Sequence, residues 1–423
     1  MRIFIVFLIF IILFFNGCGG TSVDEFLENE GNTTTQQETN ITNDSTETNT
    51  SENNTSQEEQ NTSNDVVFNL EQKNFLIDIF HNDYLWYDRI DTDVNLSEYS
   101  DPQEMIDDIK YYQDKWSFVY TMEEYNNSNN QISSGFGCYL NSDGTIVYMD
   151  IDSPCDKAGL ERGDQMLLIN GVYFGNVYNL AQSNDGVEST ITVSRDDKTL
   201  NFKIMPSVYS YKSMKASTLY EDNKSIGHLI FNEFTAATQE EMKAIFHQYK
   251  EQNVSELIVD LRYNGGGSLA TASIFMDYIT GNLYKDQIQF YIKNNDKNSL
   301  YNEAVTFFDD NDSLDLKRIF FLTTRNTASA SELIIHSLDP YIDVISIGQT
   351  THGKPVGMAG KQKEELIYYL ITFETTNVND EGGYFEGLSP DCIVEDNINY
   401  LRTDTNGSMF NEALYYIKNG SCK

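Results

Sequence analysis

Glu256-Leu257-Ile258-Val259-Asp260-Leu261-Arg262-Tyr263-Asn264-Gly265-Gly266-Gly267 is the stretch whose reading decides the fold. From Glu256 to Leu261 it is a near-continuous apolar run, as expected of a strand buried on both faces of a parallel sheet. A charged pair and three glycines end the run, and a helix is expected from about Ser268 to Ile279. The glycines let backbone approach closely and offer N–H donors without side chains in the way.

The neighbouring segments repeat the pattern. Ile226–Phe231, Arg318–Leu322, Ile342–Ile347 and Leu366–Thr372 read as further strands. Thr238-Gln239-Glu240-Glu241 reads as a capping box opening a helix with Met242, Ile245, Phe246 and Tyr249 on its buried stripe. Residues 215–400 are therefore expected to form an α/β domain, with 401–423 a C-terminal tail and Gly387–Asp391 a late turn. Three loops should follow strand ends: Asn264–Gly267, Asn326–Ser331 and Thr350–Gly357. Sites form at that end of open α/β sheets.

Upstream, residues 66–125 read as a helical domain. Phe75, Leu76, Ile79, Phe80 and Tyr84 recur at helical spacing, and Asp101-Pro102-Gln103-Glu104 is a helix start with Met105, Ile106 and Ile109 behind it. Residues 130–207 read as short strands and turns, with a hairpin turn at Asn141–Gly144.

The chain has 423 residues, enough for two or three domains, and a net charge of −37. Such acidity argues against a nucleic-acid partner, because phosphate binding needs a basic face. Arg2 followed by the apolar run Ile3–Phe15 reads as an export signal, too short for a comfortable membrane span. Asn16-Gly17-Cys18-Gly19-Gly20 then resembles a bacterial lipoprotein signal over residues 1–18, with Cys18 the lipidated residue. Phe15 and Asn16 depart from the usual residues at their places, and plain secretion or a retained anchor stay open. Residues 19–65 are a Thr/Asn/Glu/Gln/Ser tract with one aromatic, Phe26, and read as a disordered tether. The expected location is a bacterial cell envelope, on the periplasmic side or the outer membrane. Cys138, Cys155, Cys392 and Cys422 could pair in an oxidising compartment or stay free thiols, and they match no zinc pattern. No metal or cofactor is expected.

Within 130–207, Gly135-Phe136-Gly137, Ala158-Gly159-Leu160, Gly163-Asp164 and Ile169-Asn170-Gly171 occur in the order of a PDZ domain, which the segment resembles. That resemblance implies capture of a peptide C-terminal carboxylate at Gly135, Phe136 and Gly137, the peptide adding a strand to the sheet edge. Downstream, Thr327-Ala328-Ser329-Ala330-Ser331-Glu332 is followed by His352-Gly353-Lys354-Pro355. Together with Asp260-Leu261-Arg262-Tyr263-Asn264-Gly265-Gly266, these segments make residues 70–395 resemble the carboxyl-terminal processing, or tail-specific, proteases. The resemblance implies a crotonase-like or ClpP-like α/β core behind an N-terminal helical segment and a PDZ domain. It implies a serine endopeptidase that cleaves proteins near their C-termini. Ser329 matches the nucleophile, Lys354 the general base, and the N–H groups of Gly266 and Ala330 the oxyanion hole.

Elementary chemistry agrees with that assignment. A serine hydroxyl is a weak nucleophile until a base takes its proton. A lysine of ordinary pKa, ~10.4, is protonated at neutral pH and cannot serve. The site must therefore desolvate it, and Gly353, Pro355, Val356, Gly357 and Met358 offer no carboxylate to hold its charge. Ser331 and His352 are the alternatives for nucleophile and base. The register of the motif favours Ser329, and Lys354 is preferred to His352 as the base. The family usually has a glutamine four residues after the lysine. Here that residue is Met358, which cannot accept a strong hydrogen bond from an amine. Asn326 and Glu332 are candidates to orient Lys354 in its place. A non-catalytic peptide-binding envelope lipoprotein on the same scaffold is the second reading.

Overall fold

Six strands lie side by side in the order Met214–Glu221, Lys224–Phe231, Glu256–Asp260, Arg318–Thr323, Asp343–Gly348 and Cys392–Ile393. The first pair is antiparallel and every later pair is parallel. The strand Glu256–Asp260 sits in the middle, buried along its whole length. Its apolar run thus meets the demand of a strand covered on both faces. The computed structural model describes residues 68–173 and 186–423, and Phe68–Lys423 form one compact unit.

One face of this sheet packs on the helices Thr238–Glu251, Leu269–Tyr284 and Ala330–Leu338, through Phe246, Phe275, Ile279, Leu333 and Ile334 among others. The other face is covered by the helix Ser408–Asn419 through Met409, Phe410, Ala413 and Ile417. Residues after 400 are therefore no loose tail. Their apolar side chains cover Ile258, Phe320 and Ile347, and a disulfide from Cys422 to Cys392 fastens the end of the chain to the edge strand. The other two described cysteines are free thiols, with the sulfur atoms of Cys138 and Cys155 2.6 Å apart.

A second sheet runs along this unit. The strand Leu366–Asn377 pairs with Phe118–Thr121, Val356–Lys363 and Ile288–Asn294, all antiparallel. The segment read as a helical domain does contain the helices Leu70–Asn82 and Pro102–Ile109, the latter capped by the Asp101 side chain on the Glu104 N–H. It also contributes a strand, Phe118–Thr121, to this sheet. Its buried Leu76, Phe80, Tyr84 and Ile106 share one core with Val356, Tyr368, Leu370 and Ile371. The helical segment and the strand that follows Lys354 are thus halves of the same packing unit.

The capping box expected at Thr238 is replaced by another arrangement. Thr238 is already inside its helix, and it exchanges hydrogen bonds with Thr235, whose hydroxyl accepts from the Thr238 N–H at 3.3 Å. Two threonines three apart satisfy each other before Glu241 can. Within 130–207 the strands Gln165–Ile169, Val172–Tyr173, Ser189–Arg195 and Lys198–Ile204 form one small sheet, and Cys138–Leu140 pairs with Ile146–Met149. The hairpin turn at Asn170-Gly171 has both residues at positive φ, 51° and 78°. A tight two-residue hairpin requires that geometry. Residues 174–185, within this region, and 1–67, which carry Cys18, the export signal and the tether, lie outside the described residues. Among the described residues no helix is long and apolar enough to cross a membrane.

Candidate active site

The parallel strands end at Phe231, Asp260, Thr323 and Gly348, so the loops after them gather at one edge. Asn264 ties them together. Its side-chain amide donates to the Phe231 carbonyl at 2.8 Å, and its own carbonyl accepts from the Ala328 N–H at 3.0 Å. The Thr327 hydroxyl donates to the Leu261 carbonyl at 2.8 Å, and the Thr327 carbonyl accepts from the His352 N–H at 2.9 Å. Three loops, separated by some 90 residues of chain, are one hydrogen-bonded assembly.

Ser329 stands at the centre of it. It caps the helix Ala330–Leu338 with φ 58° and ψ −118°. A side chain rarely adopts a positive φ, and here tertiary contacts hold it, presenting Ser329 on a sharp strand-to-helix turn. Ala330 is the first helical residue, so its N–H has no partner within the helix, and the helix dipole adds to its pull on negative charge. Gly266 backs onto this turn: a Cβ built on it would lie 2.7 Å from the Ser329 Cβ and 2.8 Å from the Ala330 nitrogen. With φ 102° as well, only glycine suits the position. The Gly266 N–H itself is donated to Asn264 Oδ1 at 2.8 Å.

Ser331 and His352 are employed elsewhere. The Ser331 hydroxyl is buried and donates to the Asn264 carbonyl at 3.1 Å. The His352 ring accepts a hydrogen bond at Nε2 from Trp116 Nε1 at 3.1 Å.

Glu332 is the strongest link between the serine turn and the lysine loop. Fully buried, it accepts four hydrogen bonds. Oε2 takes the N–H groups of Ser329 at 2.9 Å and Lys354 at 2.8 Å. Oε1 takes the Gly353 N–H and the Thr351 hydroxyl, both at 2.6 Å. It positions Lys354 through the backbone rather than through the amine. Asn326, the other candidate for this task, has its N–H bonded to the Thr324 hydroxyl of its own turn at 3.4 Å and is exposed.

Burial pushes the Lys354 ammonium down to about 8, against the pull of two carboxylates, Asp114 first and Glu332 second, which raise it. The expectation of a desolvated lysine agrees with this. Its chain neighbours supply no carboxylate, as expected, while Asp114 and Glu332 act on it from other segments of the fold. Met358 packs among the side chains of the N-terminal core.

Beneath the glycine run lies a buried ion network that sequence reading missed. Asp260, completely buried, binds Arg262 at 2.7 Å and Arg402 at 2.9 Å. Arg262 and Arg162 in turn share Asp396, at 2.6 and 2.7 Å. Burial alone would raise the Asp260 carboxyl, but the two guanidiniums outweigh it and hold it far below the usual range. The signal was a charged pair closing an apolar strand, since nothing but opposite charge can hold such a pair in a core. In the 130–207 segment, Gly135 and Gly137 both have positive φ, 97° and 71°, and Phe136 between them is buried. The Phe136 carbonyl accepts the Cys155 N–H at 2.9 Å, fixing this loop on the helix Pro154–Ala158.

Comparison with known proteins agrees with the geometry. Residues 225–394 match the model of peptidase family S41, and residues 71–118 that of the peptidase S41 N-terminal domain. The chain belongs to peptidase family S41. It is 27% identical over 307 residues to the Probable CtpA-like serine protease of Staphylococcus epidermidis, covering 68% of this chain and 59% of that one. To the carboxy-terminal processing protease CtpB of Bacillus subtilis it is 26% identical over 292 residues, covering 65% and 58%. The chain thus spans somewhat under two thirds of the length of these relatives. Its fold is shared with the crystal structure of a candidate S41 protease from Bacteroides fragilis, at a TM-score of 0.70 and 21% identity, over 82% of this chain and 97% of that one. A photosystem II D1 C-terminal processing protease aligns at a TM-score of 0.51 and 16% identity, over 79% and 95%.

Proposed function

We propose that this chain is a serine endopeptidase that cleaves proteins near their C-termini with Ser329 as nucleophile and Lys354 as general base. The single observation that carries the reading is Glu332, which holds the backbone of both residues on one carboxylate. A free amine at Lys354 takes the Ser329 proton as Oγ attacks the scissile carbonyl, and the resulting ammonium returns that proton to the departing amine. Water then repeats the attack on the acyl-enzyme. Ala330 N–H supports the developing oxyanion, at the N-terminus of its helix. Gly266 N–H is the second donor once it exchanges its bond to Asn264. Losing one such donor costs roughly 3–4 kcal/mol of transition-state stabilisation.

In this reading the core is crotonase-like or ClpP-like, and residues 130–207 act as a PDZ domain. The loop Gly135-Phe136-Gly137 receives the substrate's terminal carboxylate. The ordered hairpins and the two positive-φ glycines of that loop support the assignment. Cys18 anchors the chain by lipid to a bacterial envelope, and residues 19–65 act as the tether. Protein and peptide C-termini are its partners, and it needs no metal or cofactor.

Two experiments test the reading. A serine-directed fluorophosphonate should modify Ser329 and no other serine, read by peptide mass spectrometry. Labelling confined to another serine overturns the nucleophile. A peptide with a free C-terminus should bind more tightly than its amidated twin. Equal binding overturns carboxylate capture.

A further inference from the structure

Lys354 makes no ion pair among the described residues, yet its ammonium must be held toward Ser329. Met358 offers only a thioether, and it packs into the apolar core. The turn Asp114–Ser117 occupies the ground beside it. The Ser117 hydroxyl accepts the Ile371 N–H at 3.1 Å, and Ile371 is the cross-strand partner of Met358. Trp116 in the same turn donates to His352, two residues before Lys354, and stacks on Phe385 with ring centroids 6.4 Å apart. Phe385 in turn lies over the lysine loop, where its carbonyl would be 2.3 Å from a Cβ on Gly353. The turn therefore grips the loop before Lys354 and the strand Leu366–Asn377, which pairs with the strand after Lys354.

Asp114 is 2% exposed and is fixed by its own turn. Oδ1 accepts the N–H groups of Trp116 and Ser117, each at 2.9 Å. Oδ2 accepts the hydroxyls of Tyr84 at 2.8 Å and Ser117 at 2.5 Å. Four donors hold an anion in an apolar core, a costly arrangement for a purely structural turn, which a neutral acceptor could serve as well. We propose that Asp114 is the positioning residue of Lys354, its buried charge taking the part that a hydrogen-bonding side chain at position 358 would play. This deepens the protease reading above and rests on it.

The groups that face Lys354 are few. Asp114 comes from the N-terminal turn and Glu332 from the helix Ala330–Leu338. His352, on the lysine's own loop, is turned to Trp116. Tyr384 is a buried hydroxyl beside Glu332. Of the two carboxylates, Asp114 acts on the ammonium the more strongly. Glu332 holds the lysine loop by its backbone, at the Gly353 and Lys354 N–H groups. Asp114 keeps the amine from losing its proton too readily.

The test uses the full chain carrying Asp114→Asn or Asp114→Ser. Both side chains retain an acceptor for the turn's N–H groups, so whichever variant keeps the wild-type melting profile is carried forward. Competitive acetylation of Lys354 with acetic anhydride across pH, read by peptide mass spectrometry, gives the titration of the amine without any need for activity. Neutralising Asp114 should lower that midpoint by roughly one pH unit or more. In a cleavage assay the alkaline-rising limb should move down by the same amount, while the plateau kcat falls roughly 10- to 100-fold from misplacement. An unchanged midpoint in either variant overturns the inference, even if cleavage suffers. A wild type that titrates as described but cleaves no peptide overturns the protease reading and leaves the electrostatic link standing.

Discussion

Lys354 and Glu332 show how single residues set the chemistry. At an ordinary pKa Lys354 would be almost wholly protonated at neutral pH. Burial brings it to about 8, so about a tenth of it is free base at pH 7. The proposed reaction needs the neutral amine. Cleavage should therefore rise as pH increases through about 8 and level off above it, and kcat measured from pH 6 to 10 checks this. A limb set near the ordinary histidine value would point to a different base. Glu332 is as specific in its demands. Glu332→Gln turns one of two acceptor atoms into a donor facing N–H groups or a hydroxyl. The expected loss is about 1–3 kcal/mol of folding stability, read by denaturant titration, together with a marked loss of cleavage.

At the scale of elements, the sheet end is shaped by what lies under it. The strand Glu256–Asp260 delivers Asp260 into a core where only Arg262 and Arg402 can balance it. Asp260→Asn leaves two guanidiniums buried with one partner fewer and should cost about 3–5 kcal/mol. The sign with pH follows from the depressed carboxyl. Its stabilisation is present above the ordinary carboxylate pKa and fades as pH falls through the folded value. The deficit of Asp260→Asn should thus be largest at neutral pH and shrink in acid, as chemical unfolding at pH 7 and at pH 3 would show. The helix Ser408–Asn419 is held to the sheet by packing and by a disulfide 30 residues apart in sequence. Cys422→Ser removes that closed loop and should cost about 3–4 kcal/mol under non-reducing conditions, with no difference from wild type once both are reduced.

The same elements show what the sequence could reveal. The central strands were legible because apolar runs broken by glycine have few other uses. Asp101 was legible as a cap because Pro102 and Glu104 follow it. The final helix was missed, although Met409, Phe410, Ala413 and Ile417 sit on one face, because asparagines and tyrosines dilute its stripe. The Cys392–Cys422 pairing could not be chosen from four cysteines. Thr238 was misassigned because a competing hydroxyl at Thr235 leaves no mark of its own in a capping pattern.

On the scale of the whole molecule, the site is assembled from segments that no local reading connects. Ser329 and Lys354 were legible as a motif, and Gly266 as their close neighbour. Asp114 was not: it lies 240 residues before Lys354, in a turn whose sequence carries no signal beyond one acid. Its proposed action on the lysine depends on Leu76, Phe80, Tyr84 and Ile106 sharing a core with the strands that follow Lys354. The N-terminal segment is thus part of the same packing unit as the strands after Lys354. Its belonging to one S41 model and the core to another reflects sequence, since the fold joins them.

The proposed catalysis turns on Ser329 as the attacking group. The direct measurement is kcat/KM for a peptide with a free, flexible C-terminus, taken with the full wild-type chain and with Ser329→Ala at pH 8. Removing the nucleophile should lower it by roughly a thousandfold or more, with the melting profile unchanged. Equal cleavage by the two proteins would contradict the assignment outright.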